Sequence, residues 1–269
     1  MLNFESKPEY GFSDLIKLVE LLRGPGGCPW DSEQTHNSIR RNMLEEAYET
    51  VDAIDEDNAE HLIEELGDVL MQVVFHADIA EKAGRFDFSA IADAACKKLV
   101  RRHPHVFGET SAKDGTESLA FWEEMKRSEK PLETISGSMR SISRTLPGLW
   151  RAEKIQKKAA KAGFDWPDHT GALGALRAEL AELEMAISSG EGVEEELGDL
   201  LFSAVNLARF FGVDPEGALE ATGDKFIARF EKVESAAQEA GTALERMTLD
   251  EMESLYQKAK LKERSTPLI

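Results

Sequence analysis

The sequence predicts an all-α protein made of two tandem copies of one helical-bundle domain. Three observations carry that expectation. Prolines are absent between Pro29 and Pro104, between Pro167 and Pro215, and between Pro215 and Pro267, which leaves spans long enough for extended helices. Within them apolar residues recur at helical spacing, as in Leu66, Leu70, Val73, Val74 and Ala77, and again in Leu197, Leu200, Leu201, Val205 and Ala208, while alternating strand patterns are scarce. The third observation is an internal repeat. The fourteen residues Glu64 to Ala77 return 131 positions later as Glu195 to Ala208, with eight identities, a period that signals duplicated domains and not a short-repeat solenoid.

Taken in order, helices are expected near 15–22, 33–55, 59–83, 88–103, 117–127, 149–161, 171–188, 192–211, 215–240 and 248–262. The first long helix follows the turn Gly24-Pro25-Gly26-Gly27-Cys28-Pro29-Trp30-Asp31. That turn has glycines enough to cradle phosphate but lacks the Lys-Ser or Lys-Thr of a Walker loop, so it reads as a structured turn feeding a helix capped by Asp31, with Gln34 three residues on. Gly163-Phe164-Asp165-Trp166 echoes it in the second half. Apolar periodicity fades after Lys126 and the chain passes through Ser136, Gly137, Ser138 and Ser141, so a linker is expected near 130–147, dividing an N-terminal domain, 1–135, from a C-terminal one, 136–269.

Composition narrows the function. With 51 Asp and Glu against 32 Lys and Arg, the net charge of −19 disfavours nucleic-acid polymers and anionic membrane surfaces as partners. No segment approaches the apolar length that spans a bilayer, and Met1 to Tyr10 carries Glu5 and Glu9 without an apolar leader, so a cytoplasmic protein is expected. Cys28 and Cys96 form neither a disulfide framework nor a metal knot, and no Gly-x-Ser-x-Gly elbow supports a serine nucleophile.

The chemistry resides in carboxylates. Glu46 and Glu49 share one helical face, as do Glu65 and Asp68, and a reversal through Glu56-Asp57-Asn58 would fold the two helices into an antiparallel hairpin where all four converge. Four like charges held that close repel by several kcal/mol unless a cation sits among them, and an all-oxygen set suits Mg²⁺, or Mn²⁺ in its place. Glu179, Glu182, Glu196 and Asp199 repeat the arrangement, which separates it from the ordinary solvated faces of acidic helices. Carboxylates without histidine also argue against a di-iron site. Gly67 and Gly198 interrupt the helices between proposed ligands, where glycine costs about 1 kcal/mol relative to alanine, so a close approach is expected there, by a packed helix or by the metal and its ligand. His61, one turn before Glu65, and His76 lie near the cluster but outside the pattern.

Cations and aromatics recur in the same order. Lys98 and Arg102 stand one turn apart, as do Lys225 and Arg229, each pair presenting two positive heads to a polyphosphate. Trp122 with Lys126, and Tyr256 with Lys260, offer an aromatic face beside a cation, suited to a base or ribose.

Together, Gly-Gly-Cys-Pro-Trp-Asp at 26–31, Leu-Glu-Glu-Ala-Tyr-Glu at 44–49, Glu-Glu-Leu-Gly-Asp at 64–68, Arg-Arg-His-Pro-His-Val-Phe at 101–107, Lys-Ile-Gln-Lys-Lys-Ala at 154–159 and Gly-Phe-Asp-Trp at 163–166 closely resemble the MazG family of nucleoside triphosphate pyrophosphohydrolases. The resemblance covers nearly the whole chain and its tandem form. It implies an all-α fold, usually dimeric, and Mg²⁺-dependent hydrolysis of NTPs and dNTPs to monophosphate and pyrophosphate, in keeping with house-cleaning of nucleotide pools. By position it implies metal ligands Glu179, Glu182, Glu196 and Asp199 with Lys225, Arg229, Tyr256 and Lys260 around the nucleotide, and the first-half set Glu46, Glu49, Glu65 and Asp68 with Lys98, Arg102, Trp122 and Lys126. The family often places lysine four residues before the first and third second-half ligands, where this chain has Ala175 and Gly192. Glu45, Glu64 and Glu195 are the general-base candidates, each adjoining a ligand. A helical regulator that binds nucleotide without turnover is the competing reading.

Overall fold

The computed structural model describes residues 3–108, 110–129 and 134–265, with the side chains of 127 and 263–265 outside that description. Among the described residues every regular element is a helix. The chain forms two compact units, Met1–Pro131 and Leu132–Ile269.

The first unit runs α1 (Phe12–Leu22), α2 (Pro29–Glu33), α3 (Asn42–Asp55), α4 (Ala59–Lys82), α5 (Phe88–Arg102), α6 (Pro104–Phe107) and α7 (Gly115–Ser128). Its core gathers Val19 of α1, Ile39, and Val74 and Phe75 of α4, with Leu15, Ile16, Met71, Ile79 and Phe88 packed around them. Burial of these side chains, at about 1.5–3 kcal/mol each, fixes α1 and the start of α5 against α4. The helix expected over 33–55 is instead two helices separated by residues 34–41. Pro29 takes the first turn of α2 with Cys28 as its cap, so Asp31 lies inside that helix and does not begin one. Thr35 and Ser38 then satisfy each other's backbone, Thr35 N–H donating to Ser38 Oγ at 2.9 Å and Ser38 N–H to Thr35 Oγ1 at 3.2 Å, a local alternative to helix.

The glycine-rich turn is structural. A Cβ on Gly27 would stand 2.2 Å from the Leu22 carbonyl oxygen, and Gly26 has φ 79°, so backbone lies directly on the end of α1. Arg23 locks it there: its buried guanidinium donates to Asp78 Oδ2 of α4 at 2.6 Å, to the Asp31 carbonyl, and to the Gln34 carbonyl at 3.2 Å. The second unit ties its corresponding turn with the charges exchanged. Arg209, 131 positions after Asp78, reaches Asp165 of the Gly-Phe-Asp-Trp turn and Asn206.

The second unit comprises α8 (Ile135–Arg140), α9 (Gly148–Lys161), α10 (His169–Ser189), α11 (Val193–Phe210), α12 (Pro215–Glu239), a 3-10 turn at Leu244–Arg246, and α13 (Leu249–Ser265). The expected linker therefore contains a helix: Thr134 accepts from Gly137 N–H and starts α8 despite its serines, while residues 130–133 lie outside the described set. α10 ends on Gly190 in the left-handed region (φ 76°), and Gly192 (φ 77°) begins α11 at once, giving the tight hairpin that repeats α3–α4. Trp166 lies over the start of α10, where a Cβ on Gly171 would come within 2.6 Å of its ring. α9 packs on α11 through the buried Gln156, whose amide donates to the Phe202 carbonyl at 2.8 Å.

Candidate functional site

Each unit builds its acidic cluster on a hairpin. In the first, α3 stops at Asp55, Asp57 turns the chain with φ 51°, and the Asn58 side chain accepts from Glu60 and His61 N–H to start α4. This reversal is the one expected from Glu56-Asp57-Asn58. It brings carboxylate oxygens of Glu46, Glu49 and Glu65 within 4.8 Å of one another. In the second unit the oxygens of Glu179, Glu196 and Asp199 meet the same limit. Asp68 and Glu182, the fourth members of each expected set, stand outside these closest triplets but remain near enough to act on them. The Glu46 carboxyl is pushed above the ordinary range by burial first, then by the charges of Asp68, Glu49 and Glu65. Glu196 is pushed up likewise by burial, then by Glu182, Asp199, Glu195 and Glu179. Mutual repulsion of this kind is what a bound cation relieves.

A further observation in the first unit fits a hard cation. Glu65 is only 8% exposed, and its Oε2 is buried without any hydrogen-bond partner. A buried carboxylate oxygen left without a donor is costly, and an oxygen-liganded metal is the kind of partner that satisfies it. Its other oxygen, Oε1, lies 3.3 Å from His61 Nε2, and His61 Nδ1 lies 2.9 Å from Glu56 Oε2. The hydrogen bond to Glu56, helped by the charges of Glu65 and Glu64, pushes His61 up, which favours the imidazolium. His61 thus stands beside the cluster, between Glu65 and Glu56. The repeat places Gly192 at its position in the second unit. His76 does not join: its Nδ1 pairs with His36 Nδ1 at 2.7 Å.

Of the general-base candidates, Glu45 is held by Arg41 Nε at 2.9 Å, and Glu64 and Glu195 are exposed beside their ligands. Of the two reasons expected for the glycines, a packed helix is not the one observed. A Cβ on Gly67 or Gly198 would meet no atom within 4 Å, so packing within the described chain explains neither.

The cations sit on the next helices. α5 packs on α4 and carries Lys98, exposed, and Arg102, whose guanidinium lies 5.0 Å from the Trp122 ring centroid of α7. α12 packs on α11 and carries Lys225, exposed, and Arg229, whose guanidinium lies 5.8 Å from the Tyr256 ring of α13. The arginine-on-aromatic pair is therefore duplicated along with the carboxylates, worth about 0.5–1 kcal/mol where exposed. Lys126 is exposed on α7 and Lys260 half-buried on α13. Phe226 adds to the second set, 5.5 Å from the Tyr256 ring. Sequence reasoning missed Glu129, which closes on Arg101 and Arg102. The signal was available, since Glu263 stands seven residues after Tyr256 as Glu129 does after Trp122.

Comparison with known proteins agrees with this duplicated geometry. The MazG nucleotide pyrophosphohydrolase domain matches twice, at residues 34–107 and 168–234, each match holding one carboxylate hairpin and one Lys–Arg helix. The chain is 43% identical over 249 residues to a Thermotoga maritima protein named nucleoside triphosphate pyrophosphohydrolase/pyrophosphatase MazG, covering 93% of this chain and 95% of that one. It is 42% identical over 254 residues to the Escherichia coli K12 nucleoside triphosphate pyrophosphohydrolase, covering 93% and 97%. A Bacillus subtilis protein, YabN, is 44% identical over 256 residues, which span 94% of this chain and 52% of YabN. With the domain present in both halves and relatives matched almost end to end, the chain belongs to the MazG nucleotide pyrophosphohydrolase family.

Proposed function

We propose that this protein hydrolyses nucleoside triphosphates, NTPs and dNTPs, to the monophosphate and pyrophosphate, with Mg²⁺ or Mn²⁺ bound in the hairpins, as a house-cleaning activity on nucleotide pools. The observation that supports this most directly is the convergence of carboxylate oxygens within 4.8 Å on two copies of one hairpin. Glu46, Glu49, Glu65 and Asp68 would hold the cation in the first unit, and Glu179, Glu182, Glu196 and Asp199 in the second. When bound, the cation neutralises polyphosphate charge and polarises the phosphoryl group under attack. Lys98 and Arg102, or Lys225 and Arg229, grip the phosphates and stabilise the charge gathering on departing pyrophosphate. Trp122 or Tyr256 meets the nucleoside, and Lys126 or Lys260 lies one turn further along the same helix. Water forms the new P–O bond, the α–β anhydride bond breaks, and the water proton passes to a carboxylate, for which Glu45, Glu64 and Glu195 are candidates.

Incubation with mixed NTPs and Mg²⁺, followed by identification of products, tests the reaction. Monophosphate plus pyrophosphate is expected; diphosphate plus orthophosphate, or no turnover, contradicts it and leaves nucleotide binding without catalysis. The second unit is taken as the main catalyst, so Asp199→Ala should remove most turnover and Asp68→Ala little; the reverse result reassigns the active half.

A cytoplasmic homodimer completes the proposal. No helix of the described residues is long and apolar enough to cross a membrane. Both hairpins leave large apolar side chains in water, Ile63 at 73% and Leu66 at 51% on α4, Ile187 at 62% on α10 and Leu201 at 50% on α11, where a second copy would cover them. Light scattering at micromolar concentration should give twice the chain mass of 29.9 kDa, and a monomer mass rejects the dimer.

A further inference from the structure

The inference drawn here rests on the phosphate-binding role proposed for Arg102. α5 ends in adjacent arginines, and Glu129, the residue after α7, closes on both. Arg102 donates from Nε to Oε1 at 3.0 Å and from Nη2 to Oε2 at 2.6 Å. Arg101 donates from Nε and Nη2 to the same Oε1, at 3.0 and 2.7 Å. Arg102 is also held from the Trp122 side, so its side chain is only 14% exposed. A guanidinium fork binds two oxygens of a carboxylate or a phosphate with the same geometry, and here a carboxylate has taken it. The two arginines keep the Glu129 carboxyl depressed to about 2, so it is an anion at every physiological pH.

We propose that Glu129 is an internal anionic latch: in the resting chain its carboxylate fills the Arg102 fork, and the polyphosphate of a nucleoside triphosphate must displace it to bind the first unit. Two guanidinium groups against one carboxylate leave a net positive charge, and the exposed Lys98 one turn before Arg102 adds to it, so an incoming polyphosphate is still attracted. Glu129 offers one carboxylate, its side chain 21% exposed, and a ligand carrying several negative charges competes for the same fork with more charge and more oxygens. Displacement removes the ion pair at the end of α7, while the Arg102 guanidinium over Trp122 still joins that helix to α5. Apparent affinity in the first unit is the intrinsic affinity multiplied by the fraction of chains in which the fork is empty.

The test uses the full chain carrying Lys225→Gln, Arg229→Gln and Lys260→Gln, so that binding reports the first unit, and titrates inorganic triphosphate calorimetrically. Adding Glu129→Gln should tighten binding about fivefold or more, and adding Arg102→Gln as well should abolish the gain. If Glu129→Gln binds like its parent while Arg102→Gln weakens binding, the latch is wrong and the phosphate-binding reading stands. If neither change alters binding while circular dichroism shows an intact fold, the phosphate site itself falls, and the latch with it. A gain that survives loss of Arg102 reflects net charge alone and overturns the latch. Should Glu129→Gln not fold, Glu129→Asp carries the test: it keeps the charge but is too short to span both arginines, and it should tighten binding to a smaller degree, whereas unchanged binding counts against the latch.

Discussion

Glu46 shows how a single carboxyl reports the repulsion that defines these clusters. Its folded-state affinity for protons is raised by burial and by Asp68, Glu49 and Glu65. A raised carboxyl binds protons more tightly folded than unfolded, so its contribution to stability grows as pH falls from neutral toward the carboxylate range and is lost as pH rises through its folded value. In metal-free protein, the Glu46 contribution should therefore make stability rise as pH falls through its folded value, and Glu46→Gln should flatten that part of the slope. Thermal melts at stepped pH measure it; an unchanged slope in Glu46→Gln would show that the cluster does not repel. Carboxyls held below their usual range, Glu129 foremost through Arg102 and Arg101, act at lower pH, where protonation removes their contribution. The spacing of Glu46, Glu49, Glu65 and Asp68, with its repeat in the second half, pointed to the two hairpins, in which the structure brings Glu46, Glu49 and Glu65, and Glu179, Glu196 and Asp199, closest together. His61 as a partner of Glu65 was only half legible, because its link to Glu56 crosses the hairpin turn.

At the scale of elements, Gly67 and Gly198 have no packing reason among the described residues. Each sits inside a long helix where alanine would be better by about 1 kcal/mol, and the space beside each is open. Gly67→Ala and Gly198→Ala should thus raise the metal-free melting temperature, and turnover should fall if ligand or a second subunit uses that space. A higher melting temperature with unchanged turnover would show that the openness serves neither. Helix identity was legible almost throughout, from proline placement and periodicity. The break at 34–41 was not: Thr35 and Ser38 bond each other's backbone locally, and the Gln34 carbonyl is taken by Arg23 from the end of α1, a contact that spacing does not reveal. Nor was the short helix α8, where one threonine cap outweighs a serine-rich composition.

For the whole molecule the duplication is the organising fact, and it was the clearest signal in the sequence. Both units keep the hairpin, the carboxylates and the arginine-on-aromatic pair, yet they differ at His61 against Gly192 and in the reversed ion pairs Arg23–Asp78 and Asp165–Arg209. From common architecture with divergent detail, the proposed metal binding predicts a cation site in each unit, the two of unequal use. Counting bound Mn²⁺ by electron paramagnetic resonance tests this most directly. Wild-type protein should bind cation in both hairpins, Glu65→Gln should lose the first-unit site, Glu196→Gln the second, and the double variant both, each with its fold intact. A double variant that binds as much Mn²⁺ as wild type would contradict the account.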